Sequence, residues 1–229
     1  MPNFWSYIKN EKYAVGCTGQ TVYVYDSNGS ELAKFKDLKY AYTPMFSPDG
    51  KTLIVKSTEG CLAVYDLDEL ELIKKFRFSK VAEAQDDGFC FSNDGRLFYN
   101  IERQNNSCNS CISVYDTTDF KCVGQYYAND SKFEPSHIEC DNDRLFVLGF
   151  TRNDKGVFDC GFVAMFNGEE LQELRYITET DYRYYWDYKR LELSGFTAKS
   201  IEWSEIKEPD KKAKPLSELW EKQAADKQV

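Results

Sequence analysis

Histidine is almost missing from this chain: His137 is alone among 229 residues. A two-histidine metal site is thereby excluded, and any cysteine–histidine relay has to run through His137. Its neighbour Cys140 falls on the opposite face of an alternating strand, so no catalytic dyad is expected. Long apolar runs are missing too. None approaches the ~20 residues of a bilayer-spanning helix, so no membrane partner is expected. The opening Met1-Pro2-Asn3-Phe4-Trp5 has neither the basic nor the apolar segment of a secretory leader, and the expected compartment is the cytoplasm. No G-x-S-x-G, P-loop or dinucleotide G-x-G-x-x-G occurs, which leaves no motif for a cofactor or a nucleophile elbow.

Nor is there a basic stripe interleaved with aromatics, the footprint that phosphate contacts require, so no nucleic acid is expected as a partner. Lys211, Lys212 and Lys214 make the only basic run, in a proline-flanked stretch that reads as a solvated linker. The formal charge is instead −9.

Cysteine is plentiful, with eight residues, but Cys17, Cys61, Cys90, Cys111 and Cys122 sit inside strand-like segments. There free cysteine behaves as a small buried hydrophobe, as suits a reducing compartment. Cys108-Asn109-Ser110-Cys111 is a lone C-x-x-C without the second pair that zinc needs, so no metal is expected; a loop disulfide and an incidental pair both stand. Asp86-Asp87 and Asp66-Leu67-Asp68-Glu69 read as solvated turn acids, because the latter lacks the glycine and distal glutamate of a calcium loop.

What the chain does have is repetition. A turn, a base and an apolar strand recur at Asn10-Glu11-Lys12-Tyr13-Ala14-Val15, Asp49-Gly50-Lys51-Thr52-Leu53-Ile54, Asp94-Gly95-Arg96-Leu97-Phe98-Tyr99 and Asn142-Asp143-Arg144-Leu145-Phe146-Val147. A degenerate fifth copy is Asp187-Tyr188-Lys189-Arg190-Leu191-Glu192-Leu193. One strand later comes a second landmark: Thr21-Val22-Tyr23-Val24-Tyr25-Asp26, Cys61-Leu62-Ala63-Val64-Tyr65-Asp66, Cys111-Ile112-Ser113-Val114-Tyr115-Asp116, a looser Phe162-Val163-Ala164-Met165-Phe166-Asn167, and Lys199-Ser200-Ile201-Glu202-Trp203-Ser204. A period of about 40 to 50 residues with strand-like alternation means sheets stacked around an axis. Asp-Gly and Asn-Asp supply the positive φ of tight hairpins. The Asp or Asn closing the third strand can bond its own backbone and start the next turn.

The segment Phe46-Ser47-Pro48-Asp49-Gly50-Lys51 through Val64-Tyr65-Asp66-Leu67, echoed by Phe91-Ser92-Asn93-Asp94-Gly95-Arg96-Leu97, resembles a blade of the WD40 and YVTN propeller superfamily over residues 10–176. The Gly-His pair of WD40 blades is absent, and Tyr-Asp stands for Trp-Asp. The expected fold is all-β: a small β-propeller of about five four-stranded blades, the last incomplete, with a short C-terminal helix. Residues 1–206 would form the propeller, and 207–229 a charged linker and an amphipathic helix with Leu216, Leu219 and Trp220 on one side. That helix would pack on its own propeller or on another chain.

In a four-stranded meander the second-to-third and fourth-to-next-first connections emerge at one end, and here they are the long ones. They carry Arg103, Asn105 and Asn106, and Asn153, Asp154 and Phe158, beside Tyr40, Tyr42, Glu83, Asp86, Asp87, Lys132 and Phe133. Tyr182, Tyr184 and Trp186 add an aromatic segment that reads equally as an interface or as one face of an ordinary strand. The expected function is non-catalytic binding of a basic protein or peptide by this acidic face, a composition also compatible with an inhibitor of a basic toxin or nuclease. The alternative is a propeller hydrolase or lyase acting on a small molecule.

Overall fold

The computed structural model describes residues 2, 4–78, 88–103, 110–128, 130–168, 170–194 and 214–226. Its strands form four antiparallel sheets, each a meander of four strands in chain order. The first is β1 (Ser6–Lys9), β2 (Tyr13–Cys17), β3 (Val22–Asp26) and β4 (Glu31–Phe35). The second is β5 (Ala41–Phe46), β6 (Thr52–Ser57), β7 (Cys61–Asp66) and β8 (Glu71–Arg77). The third is β9 (Phe89–Phe91), β10 (Leu97–Arg103), β11 (Ser110–Asp116) and β12 (Lys121–Tyr126). The fourth is β13 (Phe133–Asp141), β14 (Arg144–Arg152), β15 (Phe158–Asn167) and β16 (Glu170–Ile177). Two helices follow, α1 (Glu179–Ser194) and α2 (Leu216–Asp226). Among the described residues no helix is long and apolar enough to cross a membrane.

Each repeated landmark has a local cause. Ser47 and Ser92 hold the turn before the second strand: the hydroxyl donates to Asp49 at 2.6 Å and to Asp94 at 2.7 Å, and accepts from Thr52 N and Leu97 N at 2.9 Å. Gly50 and Gly95 take the positive φ that these turns require. In the fourth copy, which lacks glycine, Asn142 and Asp143 adopt φ of 48° and 60°. The acids closing the third strands bond forward as expected, Asp26 to Asn28 N and Ser30 N, Asp66 to Asp68 N and Glu69 N, Asp116 to Thr118 N. A register shift falls at the same landmark in all four sheets: Val24/Tyr25, Val64/Tyr65, Val114/Tyr115 and Met165/Phe166.

The described strands fall into two compact units. In the N-terminal unit, Val15, Val24 and Phe35 of the first sheet bury against Leu53, Val55 and Tyr65 of the second, with the Phe35 and Tyr65 rings stacked 4.1 Å apart. In the C-terminal unit, Tyr99, Ile101 and Val114 of the third sheet pack on Ile138, Val147 and Phe162 of the fourth. Each such side chain contributes about 1.5–3 kcal/mol by leaving water.

Among the described residues the expected fifth blade is absent: they form four sheets, and none is closed. The segment read as its beginning is α1, because Thr178 caps a helix. Asp181 N–H donates to Thr178 Oγ1 at 3.1 Å and the Thr178 hydroxyl donates to Asp181 Oδ2 at 2.9 Å. Side-chain period settles the matter. Strand alternation groups Tyr182, Tyr184 and Trp186, but Tyr182 and Tyr185 are buried while Tyr184 is 40% exposed. The Asp187–Leu193 copy lies in α1, and the copy from Lys199 to Ser204 lies outside the described residues.

In place of a further sheet, the outer face of the fourth sheet buries Phe146, Leu148, Val163 and Ile177 under Tyr182 and Tyr185 of α1 and Leu216, Leu219 and Trp220 of α2. The C-terminal helix thus packs on its own sheet. Glu139 of β13 accepts the Leu216 N–H at 2.6 Å, satisfying a donor at the start of α2, and lies 3.3 Å from His137 Nε2. The lone histidine is a buried strand residue.

Candidate functional site

Two turns at one end of the fourth sheet build a cleft of about 680 Å³, lined by Ser131, Lys132, Arg152, Asn153, Asp154, Gly156 and Asp159. Each turn is set by one side chain. Asp130 Oδ1 accepts from Lys132 N at 2.8 Å and Phe133 N at 3.1 Å, starting β13. Asn153 Oδ1 accepts from Lys155 N at 3.0 Å and Val157 N at 3.2 Å, and Gly156 turns the chain at φ 75°. The turns are joined where Arg152 N–H donates to the Lys132 carbonyl at 2.8 Å.

Arg152 is the best-fixed cation of the cleft. Its Nη1 donates to the Gly156 carbonyl at 2.9 Å, its Nε lies 3.5 Å from Glu134 Oε2, and its guanidinium carbon sits 5.0 Å from the Phe150 ring centroid. Glu134 is buried and accepts the Ser110 hydroxyl at 2.7 Å. Gly149 admits this arrangement, since a Cβ there would lie 2.5 Å from the Glu134 carbonyl oxygen and 2.4 Å from Phe162. Beneath, Phe150, Phe158 and Tyr182 have ring centroids 5.5–5.8 Å apart.

Lys132, Asp154 and Asp159 form no ion pair with any described residue, although all line the same cleft. The site therefore offers one clamped guanidinium, the Lys132 ammonium 5.7 Å over the Phe133 ring, and the carboxylates of Asp154 and Asp159, the latter accepting the Thr151 hydroxyl at 3.4 Å. Such a set can pair with charges and hydrogen-bond donors on a partner. Among the described residues no three His, Cys, Asp or Glu are grouped to hold a metal.

Of the residues expected from sequence, the structure brings Lys132, Asn153 and Asp154 together at the cleft, with Phe133 and Phe158 half-buried beside it. Tyr182 is buried, Trp186 stacks on it at 6.4 Å, and Tyr184 faces solvent from α1. Tyr40 and Tyr42 belong to the N-terminal unit, and Arg103 ends β10 opposite Ser110. Glu83, Asp86, Asp87, Asn105 and Asn106 lie outside the described residues. Sequence reasoning missed Arg152, Ser131 and Asp159. Arg152 and Asp159 flank the turn Asn153–Phe158 in the chain, so the ends of the adjoining strands were the signal.

No family model matches the chain, and neither does any curated protein sequence. Solved structures do. Hydrazine synthase of Kuenenia stuttgartiensis is similar at 18% identity and a TM-score of 0.60, over 78% of this chain and 50% of that one. The crystal structure of a eukaryotic initiation factor is similar at 15% identity and a TM-score of 0.50, over 78% of this chain and 47% of that one. The chain spans about half the length of each. At such identities the likeness concerns architecture alone: an all-β, propeller-like fold of four-stranded antiparallel sheets.

Proposed function

We propose that this chain is a non-catalytic protein-binding module of the cytoplasm whose partner is a basic protein or peptide. The observation that carries the reading is the cleft at Lys132, Arg152 and Asp154. Its polar groups ride on turns fixed by Asp130 and Asn153, Arg152 is held from three sides, and Lys132, Asp154 and Asp159 form no ion pair with any described residue. Side chains already fixed cost less entropy to engage, which favours recognition at a rigid scaffold's loops. The net charge of −9 favours a cationic partner through long-range attraction. Cys17, Cys61, Cys90, Cys122, Cys140 and Cys160 are free thiols, as suits a reducing compartment.

A photo-crosslinking amino acid placed at Asp154, and separately at exposed Ile73 of β8, tests this in a lysate of cells that express the protein. A discrete polypeptide joined from position 154 and not from position 73 is the expected result. The same products from both positions would overturn the assignment of the cleft.

A further inference from the structure

The N-terminal unit carries an aromatic corner that the cleft does not use. Trp5 N–H donates to the Cys17 carbonyl at 2.7 Å, which ties the segment before β1 to β2. The six-membered ring of the indole lies against Gly19, where a Cβ would stand 2.5 Å from Cζ3 and 2.6 Å from Cη2, so only glycine admits the ring there. The Tyr42 ring makes the second wall, its centroid 6.5 Å away and inclined at 54°.

The backbone beneath both walls is held. Ala41 N–H donates to the Gly19 carbonyl at 3.0 Å, and the Ser6 hydroxyl donates to the Tyr42 carbonyl. Beside the corner Tyr40 has φ 54° and is 53% exposed, its carbonyl accepting Thr58 N–H at 3.2 Å. Trp5 itself is 43% exposed, and no cation among the described residues lies over its ring. A solvent-facing indole locked by glycine, on a chain of net charge −9, complements positive charge twice: by the negative face of its π-system and by the protein's field.

We propose that this corner receives a cationic side chain, guanidinium or ammonium, of a basic polypeptide, which stacks on Trp5 with Tyr42 as a side wall. The site stands on the N-terminal unit alone and is independent of the cleft.

The four tryptophans give four indole N–H signals in a nitrogen-15-labelled sample, and Trp5→Phe identifies that of Trp5. Three capped tripeptides, alike except for a central arginine, lysine or citrulline, are titrated at constant ionic strength. The arginine and lysine peptides are expected to move the Trp5 signal saturably, and citrulline to bind about threefold to thirtyfold more weakly, the span of a cation–π contact. Gly19→Ala, which displaces the indole, is expected to weaken the cationic peptides while the backbone amide signals of β2 to β4 report an intact N-terminal unit. Citrulline binding as tightly as arginine, cationic peptides that leave the Trp5 signal in place, or an undiminished response in Gly19→Ala would each overturn the proposal. Cross-linking from Asp154 is read separately, so the two sites fail or stand apart.

Discussion

The Arg175 guanidinium lies on the indole of Trp220, its carbon 3.6 Å from the ring centroid, and its Nη1 donates to the Trp220 carbonyl at 2.6 Å. Glu173 grips the same guanidinium at 2.7 and 2.8 Å, so β16 holds α2 through one buried cation. Where another propeller-like sheet would bury Phe146 and Val163, this residue pair and the α1 tyrosines close the stack.

Trp220→Ala should therefore cost about 3–5 kcal/mol, the range for a large buried aromatic truncated to a methyl. Arg175→Lys keeps the charge but loses the planar fork, and should cost less. Urea unfolding measures both. A Trp220→Ala change below about 1 kcal/mol would show that α2 is dispensable to the core.

The Ser-Asp turns predict a specific acid response. The Arg96 backbone N–H, the Ser92 hydroxyl and the Arg96 guanidinium hold the Asp94 carboxyl down at about 2, against an ordinary 3.8. A depressed folded value stabilises the protein above the ordinary one, and that contribution disappears as the pH falls from 3.8 through about 2. Asp94→Ala should lower the thermal midpoint at neutral pH and converge on the parent near pH 2. An equal offset at both pH values would contradict the assignment.

Thiol reactivity should follow burial. Desolvation pushes the Cys17 thiol up to about 12, and it lies in the N-terminal core, whereas Cys122 is exposed on β12. Alkylation of the native protein, followed by mass spectrometry, should label Cys122 first and Cys17 only after denaturation. Labelling of Cys17 at the rate of Cys122 would mean that the first two sheets open readily.

Four sheets were legible because their turns and strand ends use short-range chemistry: Asp-Gly and Asn-Asp at the hairpins, Tyr-Asp or Phe-Asn closing the third strands. The fifth repeat failed because Tyr182-Arg183-Tyr184-Tyr185-Trp186 satisfies both periods. The deciding signal lay just upstream, in the Thr178-x-x-Asp181 cap. The cleft was half legible. Asn153 and Asp154 sit in a visible turn, but Arg152 is fixed by Glu134 across a strand pair and by the Gly156 carbonyl, partners that spacing along the chain does not reveal. Trp5 had no signal beyond its size, since its seat is made by Gly19, 14 residues away in the chain.

Once the cross-linked partner is identified, its association rate with charge-reversed variants tests the central claim most directly. Asp154→Lys with Asp159→Lys alters the cleft, and Glu69→Lys with Glu71→Lys makes the same charge change at exposed sites around the β7–β8 turn. Both pairs should leave the fold intact, since surface changes move stability by about 0.5 kcal/mol each. The account predicts that the cleft pair slows association about tenfold at low salt, that the difference shrinks as salt is added, and that the control pair does markedly less. Equal slowing by both pairs, or a larger effect from Glu69 and Glu71, would contradict it.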